Sequence, residues 1–193
     1  MIIKHDLSVA PATEPITLTE AKSNLGIDDT LQDTEITRYI KVAREKVEKY
    51  LGVSLVTQTW KLTLDRFPTD IELKKTPVAS VTSIKYYDSD NALQTLSSAT
   101  YYLDNKGENA RHWILEEADS NWPDTYSRVN AVEVLYVSGK ADSAVDEDIQ
   151  QAIHEIVKVL VTLSNPVDGI TIPTKAIKWI MDDYLSDTRM LRI

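Results

Sequence analysis

Hydrophobic positions along this chain change period twice. Between Ile36 and Leu51 the apolar residues Ile36, Tyr39, Ile40, Ala43, Val47, Tyr50 and Leu51 recur at steps of three and four, which predicts a helix with one buried face. Gly52 supplies its stop. A shorter helix precedes it: Thr17-Leu18-Thr19-Glu20 is a capping box, in which Thr17 caps and Glu20 reaches back, and Gly26 ends the helix. From Val53 the period falls to two. Val56, Trp60, Leu62 and Leu64 lie on one side and Thr57, Thr59, Lys61 and Thr63 on the other, the pattern of a half-buried strand. Further strands are predicted over Ile71–Leu73, Ser80–Tyr87, Leu93–Leu96, Thr100–Leu103, Arg111–Glu117 and Ala131–Val137, with a turn at Asp88-Ser89-Asp90-Asn91. The middle third is thus an antiparallel β unit.

The helical period returns after Asp146, a predicted N-cap. Ile149, Ala152, Ile153, Ile156, Val157, Val159, Leu160 and Leu163 cover more than half of the helix, predicting a central core element that Asn165 and Pro166 end. Thr174 can cap a last helix carrying Ile177, Trp179, Ile180, Met181, Tyr184 and Leu185. The remaining SDTRMLRI is expected to be too short to fold alone. Trp179, Tyr184, Met190 and Leu191 fit a monomer core poorly and suggest docking onto another molecule.

Composition narrows the function. The chain has 193 residues, 42% of them hydrophobic, enough for a globular core. With 21 Lys and Arg against 30 Asp and Glu, its net charge of −9 opposes tight wrapping of a nucleic acid. There is no cysteine, which excludes disulfides, thiolate metal sites and cysteine nucleophiles. The opening MIIKHDLSVAPATEP lacks the long apolar core of a signal peptide, and the most apolar later run contains Lys158 and stops at Pro166; no membrane span is expected.

Motifs for catalysis are not found. His154-Glu155 begins like a zinc-protease helix, but Lys158 stands where the second histidine belongs. Asp88 and Asp90 begin like a calcium loop, yet the twelfth position is Ala99. The acidic runs Asp146–Asp148 and Asp182–Asp183 diverge around a helix, and the five glycines form no phosphate-cradling loop. The chain is therefore expected to be no enzyme and to need no metal or cofactor. The aromatics of the middle third, Trp60, Tyr86, Tyr87, Tyr101, Tyr102, Trp113, Trp122 and Tyr126, leave two uses open: core and subunit interface, or a sugar-stacking platform of a carbohydrate-binding β module.

Several stretches in order resemble the head-tail connector (adaptor) proteins of tailed bacteriophages, prophages and gene transfer agents. The family's opening Leu-Thr-Glu-Ala-Lys helix is matched by Leu18, Glu20, Ala21 and Lys22, and its acidic loop by Asp28 and Asp29. Its Ala-Arg helix ending in Tyr-x-Gly is matched by Ala43, Arg44, Tyr50 and Gly52. Gln58, Thr59, Trp60, Asp65, Phe67 and Pro68 match the next strand and turn; Pro77, Val78, Ser80, Val81, Ser83, Ile84, Tyr86, Tyr87 and Asp88 match the one after, and Trp122 and Pro123 also fit. The resemblance runs from about Pro15 to Gly139. Beyond it, where the family's third helix often ends in Trp or Tyr-x-Asn-Arg-Glu, this chain reads VTLSNP.

The resemblance implies an α+β fold: one connector domain, with a helical bundle built from residues 17–52 and 146–186, an antiparallel β unit inserted over 53–140, and a tail over 187–193. It implies a dodecameric homo-oligomer forming a ring beneath the portal protein, joining the capsid to a stopper or tail-completion protein in the virion after assembly in the host cytoplasm. DNA would pass through the channel without sequence-specific binding. Portal docking is expected to fall to Trp179, Tyr184, Leu185, Met190, Leu191 and Ile193.

Overall fold

A computed structural model describes residues 3–106, 111–164 and 174–190. The expected stops at Asn165 and Pro166, and the tail residues Leu191 and Ile193, lie outside them. The chain divides into two compact units: Met1–Ala12 with Thr57–Lys140, and Thr13–Val56 with Ala141–Ile193.

The second unit is helical. Helix α1 (Leu18–Leu25) opens on the predicted capping box: the Thr17 hydroxyl accepts from the Glu20 N–H, and the Glu20 carboxylate accepts from the Thr17 N–H at 2.7 Å. Gly26 closes α1 with φ 69°, a left-handed conformation that costs glycine nothing. Helix α2 (Asp33–Leu51) ends the same way at Gly52, φ 74°, whose N–H donates to the Glu48 carbonyl at 2.8 Å. Helices α3 (Glu147–Ser164) and α4 (Thr174–Met190) complete the bundle. Ile36, Ile40, Ala43 and Val47 of α2 pack with Ala152, Ile153, Ile156 and Val157 of α3. Val53, Leu55 and Val56, which alternation in the sequence assigns to the start of the β unit, are buried in this helical core. Helix α4 runs on to Met190, through residues whose length alone argued against structure: no proline or glycine interrupts Lys175–Met190, and extending a helix costs far less than starting one.

The first unit holds two antiparallel sheets over one core. Its strands are β1 (Ile3–Val9), β2 (Gln58–Leu64), β3 (Ile71–Leu73), β4 (Val78–Tyr87), β5 (Leu93–Thr95), β6 (Tyr101–Asp104), β7 (His112–Glu116) and β8 (Val132–Ser138). Five strands form one sheet in the order β1-β2-β8-β4-β5, and three form the other in the order β3-β7-β6. Leu62, Leu64, Val132, Val134, Tyr136 and Ile84 from the larger sheet meet Ile71, Leu73 and Ile114 from the smaller. Strand β1 has no counterpart among the predicted strands. It pairs antiparallel with β2, Ile3 opposite Leu64 and Leu7 opposite Trp60, although α1 and α2 separate the two strands in sequence.

Candidate assembly surfaces

The residues that carried the family resemblance hold the two units in shape. In the helical unit, Ala21 is core, Leu18 packs against it, and the Lys22 ammonium meets the Asp33 carboxylate at 2.7 Å, tying α1 to α2. Arg44 is 3% exposed. Its guanidinium donates to Glu48 and to Glu14, each at 2.7 Å, and the other oxygen of Glu48 accepts the Leu55 N–H at 2.9 Å. One buried cation thereby fixes the approach to α1, the end of α2 and the chain leaving it. The Tyr50 hydroxyl donates to Asp182 of α4 at 2.6 Å.

In the β unit, Gln58 is buried opposite Ser138, and the Asp65 carboxylate accepts the Asn130 N–H at 3.2 Å. Phe67 stacks on Trp122 with ring centroids 4.9 Å apart and meets Tyr86 edge-on at 5.7 Å; Pro68 follows at the rim of a groove. Asp88 accepts the Gln94 amide and then the Ala92 N–H, which hold its carboxyl below the usual range and build the β4–β5 turn, with Asn91 left-handed at φ 61°. His112, which no sequence motif singles out, is buried and accepts the Val78 N–H through Nδ1 at 2.9 Å; a single histidine inside a strand carries no signal for this.

This packing does not favour the sugar-stacking alternative. A platform needs aromatic faces open in a row. Phe67, Trp122 and Tyr86 instead cover one another, Lys75 lies over Trp60 at 4.8 Å, and Arg128 lies over Tyr87 at 3.9 Å.

The exposed apolar side chains lie elsewhere. On α4, Trp179 is 65% exposed beside Lys175, Lys178, Asp182 and Asp183, a large apolar ring set among charges. The other expected docking residues are placed differently. Leu185 is fully buried in the helical core, Tyr184 is partly buried against it, and Met190 is the last residue of α4. Helical spacing distinguishes them: Ile177, Ile180, Met181, Tyr184 and Leu185 form one stripe, from which Trp179 departs. Leu31 is 90% exposed before α2, its N–H bound by Asp29 at 2.9 Å. On the β unit, Ile3, Leu7 and Val9 stand out along β1, and Leu93, Tyr126 and Val129 are exposed as well. Ile3, Leu62, Leu64, Ile71 and Trp113 line a groove of about 170 Å³.

Among the described residues no cluster of three or more His, Asp or Glu side chains could hold a metal ion, and no helix is long and apolar enough to cross a membrane. Large apolar side chains standing in solvent, as Trp179 and Leu31 do, are the kind of surface that a protein partner covers.

Comparison with known proteins agrees. Residues 15–112, half of the chain, match the family described as phage gp6-like head-tail connector protein. The chain belongs to this family and is a structural connector subunit. No curated protein matches its sequence significantly. In fold it is similar to a chain from the neck of an empty GTA particle with C6 symmetry, at TM-score 0.73 and 17% identity over 94% of each chain. A chain from the virion of a native gene transfer agent (GTA) particle gives TM-score 0.69 and 18% identity, over 93% of this chain and 94% of that one. A chain from the neck of a native GTA particle with C12 symmetry gives 0.66 and 19%, over 95% and 94%.

Proposed function

We propose that this subunit assembles into a dodecameric ring in the virion, beneath the portal, and joins the filled head to a stopper or tail-completion protein. The observation that carries the reading is membership of the connector family over residues 15–112, supported by a fold shared with chains from GTA particle necks computed with C6 and with C12 symmetry. A cyclic ring needs two different faces on each subunit, one meeting the other on the next copy. The subunit acts by binding rather than by catalysis, in keeping with a family of structural virion components.

Portal docking falls chiefly to Trp179, because a tryptophan 65% exposed is both available and able to bury a large apolar area. Met190, Leu191 and Ile193 would extend the contact, Tyr184 would contribute its accessible part, and Leu185 would support α4 from within. The net charge of −9 favours a channel through which duplex DNA slides without sequence-specific binding, since a basic lumen would hold phosphate strongly. Assembly would take place in the host cytoplasm.

The test is co-assembly with the portal ring encoded in the same genome, followed by size-exclusion chromatography and negative-stain imaging. A portal extended by one further ring is the expected result, and avidity across repeated contacts should make the complex persist. Absence of association across a range of salt concentrations would overturn the reading. For the docking residues, a chain truncated after Leu185 should fail to join; if it joins as well as the full chain, docking lies elsewhere.

A further inference from the structure

We infer that the free edge of β1 pairs antiparallel with β1 of a second copy, in register about His5, closing two subunits into a dimer outside the ring. The inference stands apart from portal docking and from the ring contact. An isologous contact is complete at two copies and cannot propagate around a ring, so it describes the unassembled subunit.

The two edges of the five-stranded sheet are treated differently. At one, β5 is only three residues long, and the β4 strand behind it shifts register between Val78 and Ser80 and again between Val81 and Ser83. Short edge strands and bulges are the usual protection against stray pairing. The other edge, β1, is seven residues long, has no proline, and keeps regular register from Ile3 to Leu7, with its one shift beyond Leu7. Every β1 residue except His5 is exposed, and Ile3 and Leu7 are 46% and 47% exposed. Such an edge is a template for another strand.

The sequence Ile3-Lys4-His5-Asp6-Leu7 is complementary to itself. Residues directly opposite in an antiparallel pair share a face of the sheet. Pairing about His5 sets Ile3 against the partner's Leu7 on the face that β2 continues with Leu64, Leu62 and Trp60. It sets Lys4 against the partner's Asp6 on the other face, twice by symmetry. Within its own subunit Asp6 already lies opposite Lys61, whereas Lys4 lies opposite the uncharged Thr63. The partner's Asp6 therefore supplies the acid that Lys4 lacks across the strand. The registers two residues either way place Lys4 against the partner's Lys4, or Asp6 against the partner's Asp6. A one-residue slip sets Ile3 against the partner's Asp6 or the partner's Ser8. Register about His5 alone satisfies both rows.

The test uses the full chain at physiological ionic strength, which screens the repulsion of two acidic subunits. Sedimentation equilibrium over a concentration series should show a monomer-dimer equilibrium. Lys4→Asp sets like charges opposite at two symmetric positions and should weaken association roughly tenfold or more. The swap Lys4→Asp with Asp6→Lys restores opposite charges in the same register and should recover the dimer. The thermal midpoint of Lys4→Asp, taken alongside, should match wild type closely, because that side chain is exposed opposite an uncharged residue, whereas the swap sets a lysine opposite Lys61 and should melt slightly lower while staying folded. The inference is overturned if wild type stays monomeric, passes to a larger ring with no dimer, or forms a dimer indifferent to Lys4→Asp. It is equally overturned if the swap associates no better than the single variant. None of these results bears on portal co-assembly, so the two readings fail separately.

Discussion

Arg44 and Glu48, one turn apart on α2, form an ion pair at 2.7 Å with both side chains nine-tenths or more out of solvent. A buried pair of this kind adds little net stability over an apolar substitute of the same shape, but breaking it leaves a charge stranded in the core. Arg44→Ala would strand Glu48 and also release Glu14, and should cost about 3 to 5 kcal/mol in urea unfolding followed by helical circular dichroism. Arg44→Lys should recover only part of this, because a single ammonium cannot reproduce two directed bonds from one planar group to two carboxylates. A loss under about 1 kcal/mol for Arg44→Ala would mean that water replaces the guanidinium and that the cluster is not sealed.

The stop of α2 tests a second local device. Gly52 has φ 74°, and a Cβ added there would meet nothing within 4 Å. The cost of a side chain is thus purely conformational, about 1 kcal/mol for Gly52→Ala and less for Asn, which tolerates the left-handed region. Gly26, equally open with φ 69°, should behave the same way. Equal stability of Gly52→Ala and wild type by chemical denaturation would show that the chain leaves α2 by another backbone path.

These caps were legible because each is written within four or five residues: Thr17 with Glu20, and a glycine after the last apolar position. Strands β2 to β8 were legible for a similar reason, since alternation is a local property. Strand β1 was not read, because His5 interrupts its apolar row between Ile3 and Leu7 and its partner β2 is reached only after two helices. The docking residues were read by proximity in sequence, which grouped Trp179 with Leu185. Helical spacing separates them, one outward and one inward. Neither Arg44 nor His112 announces its burial, since what makes a buried polar group tolerable is partners distant in the chain: Glu14 for one and the Val78 N–H for the other.

Two histidines predict a pH dependence. Burial lowers the pKa of His154 on α3 against the opposing pull of Glu20 and Glu155; burial and then Lys74 and Lys75 lower that of His5, against Glu72 and Asp6. Both favour the neutral ring in the folded chain. Above the ordinary value of 6.5 neither state is protonated and no penalty arises. As pH falls below it, the unfolded chain takes up protons first, so stability declines until the folded-state values are passed. The urea midpoint should therefore fall between about pH 7.5 and pH 5.5, and His154→Gln should flatten the part of that fall belonging to the helical unit. An unchanged slope in that variant would assign the dependence to other groups.

On α4, Trp179 and Leu185 give opposite predictions. Leu185 is fully buried, so Leu185→Ala should cost about 2 to 5 kcal/mol and weaken every later step through loss of folded protein. Trp179 is 65% exposed, so Trp179→Ala should leave the unfolding midpoint within about 0.5 kcal/mol of wild type. If the ring docks through this residue, Trp179→Ala should nevertheless fail to extend the portal ring, because a desolvated tryptophan anchor contributes about 2 kcal/mol or more and a ring repeats the loss at each subunit. Sedimentation of the portal with each variant, beside a denaturation curve for each, separates the two effects. A Trp179→Ala chain that is stable and still joins the portal would remove α4's outer face from the docking surface and leave the contact to the residues after Leu185.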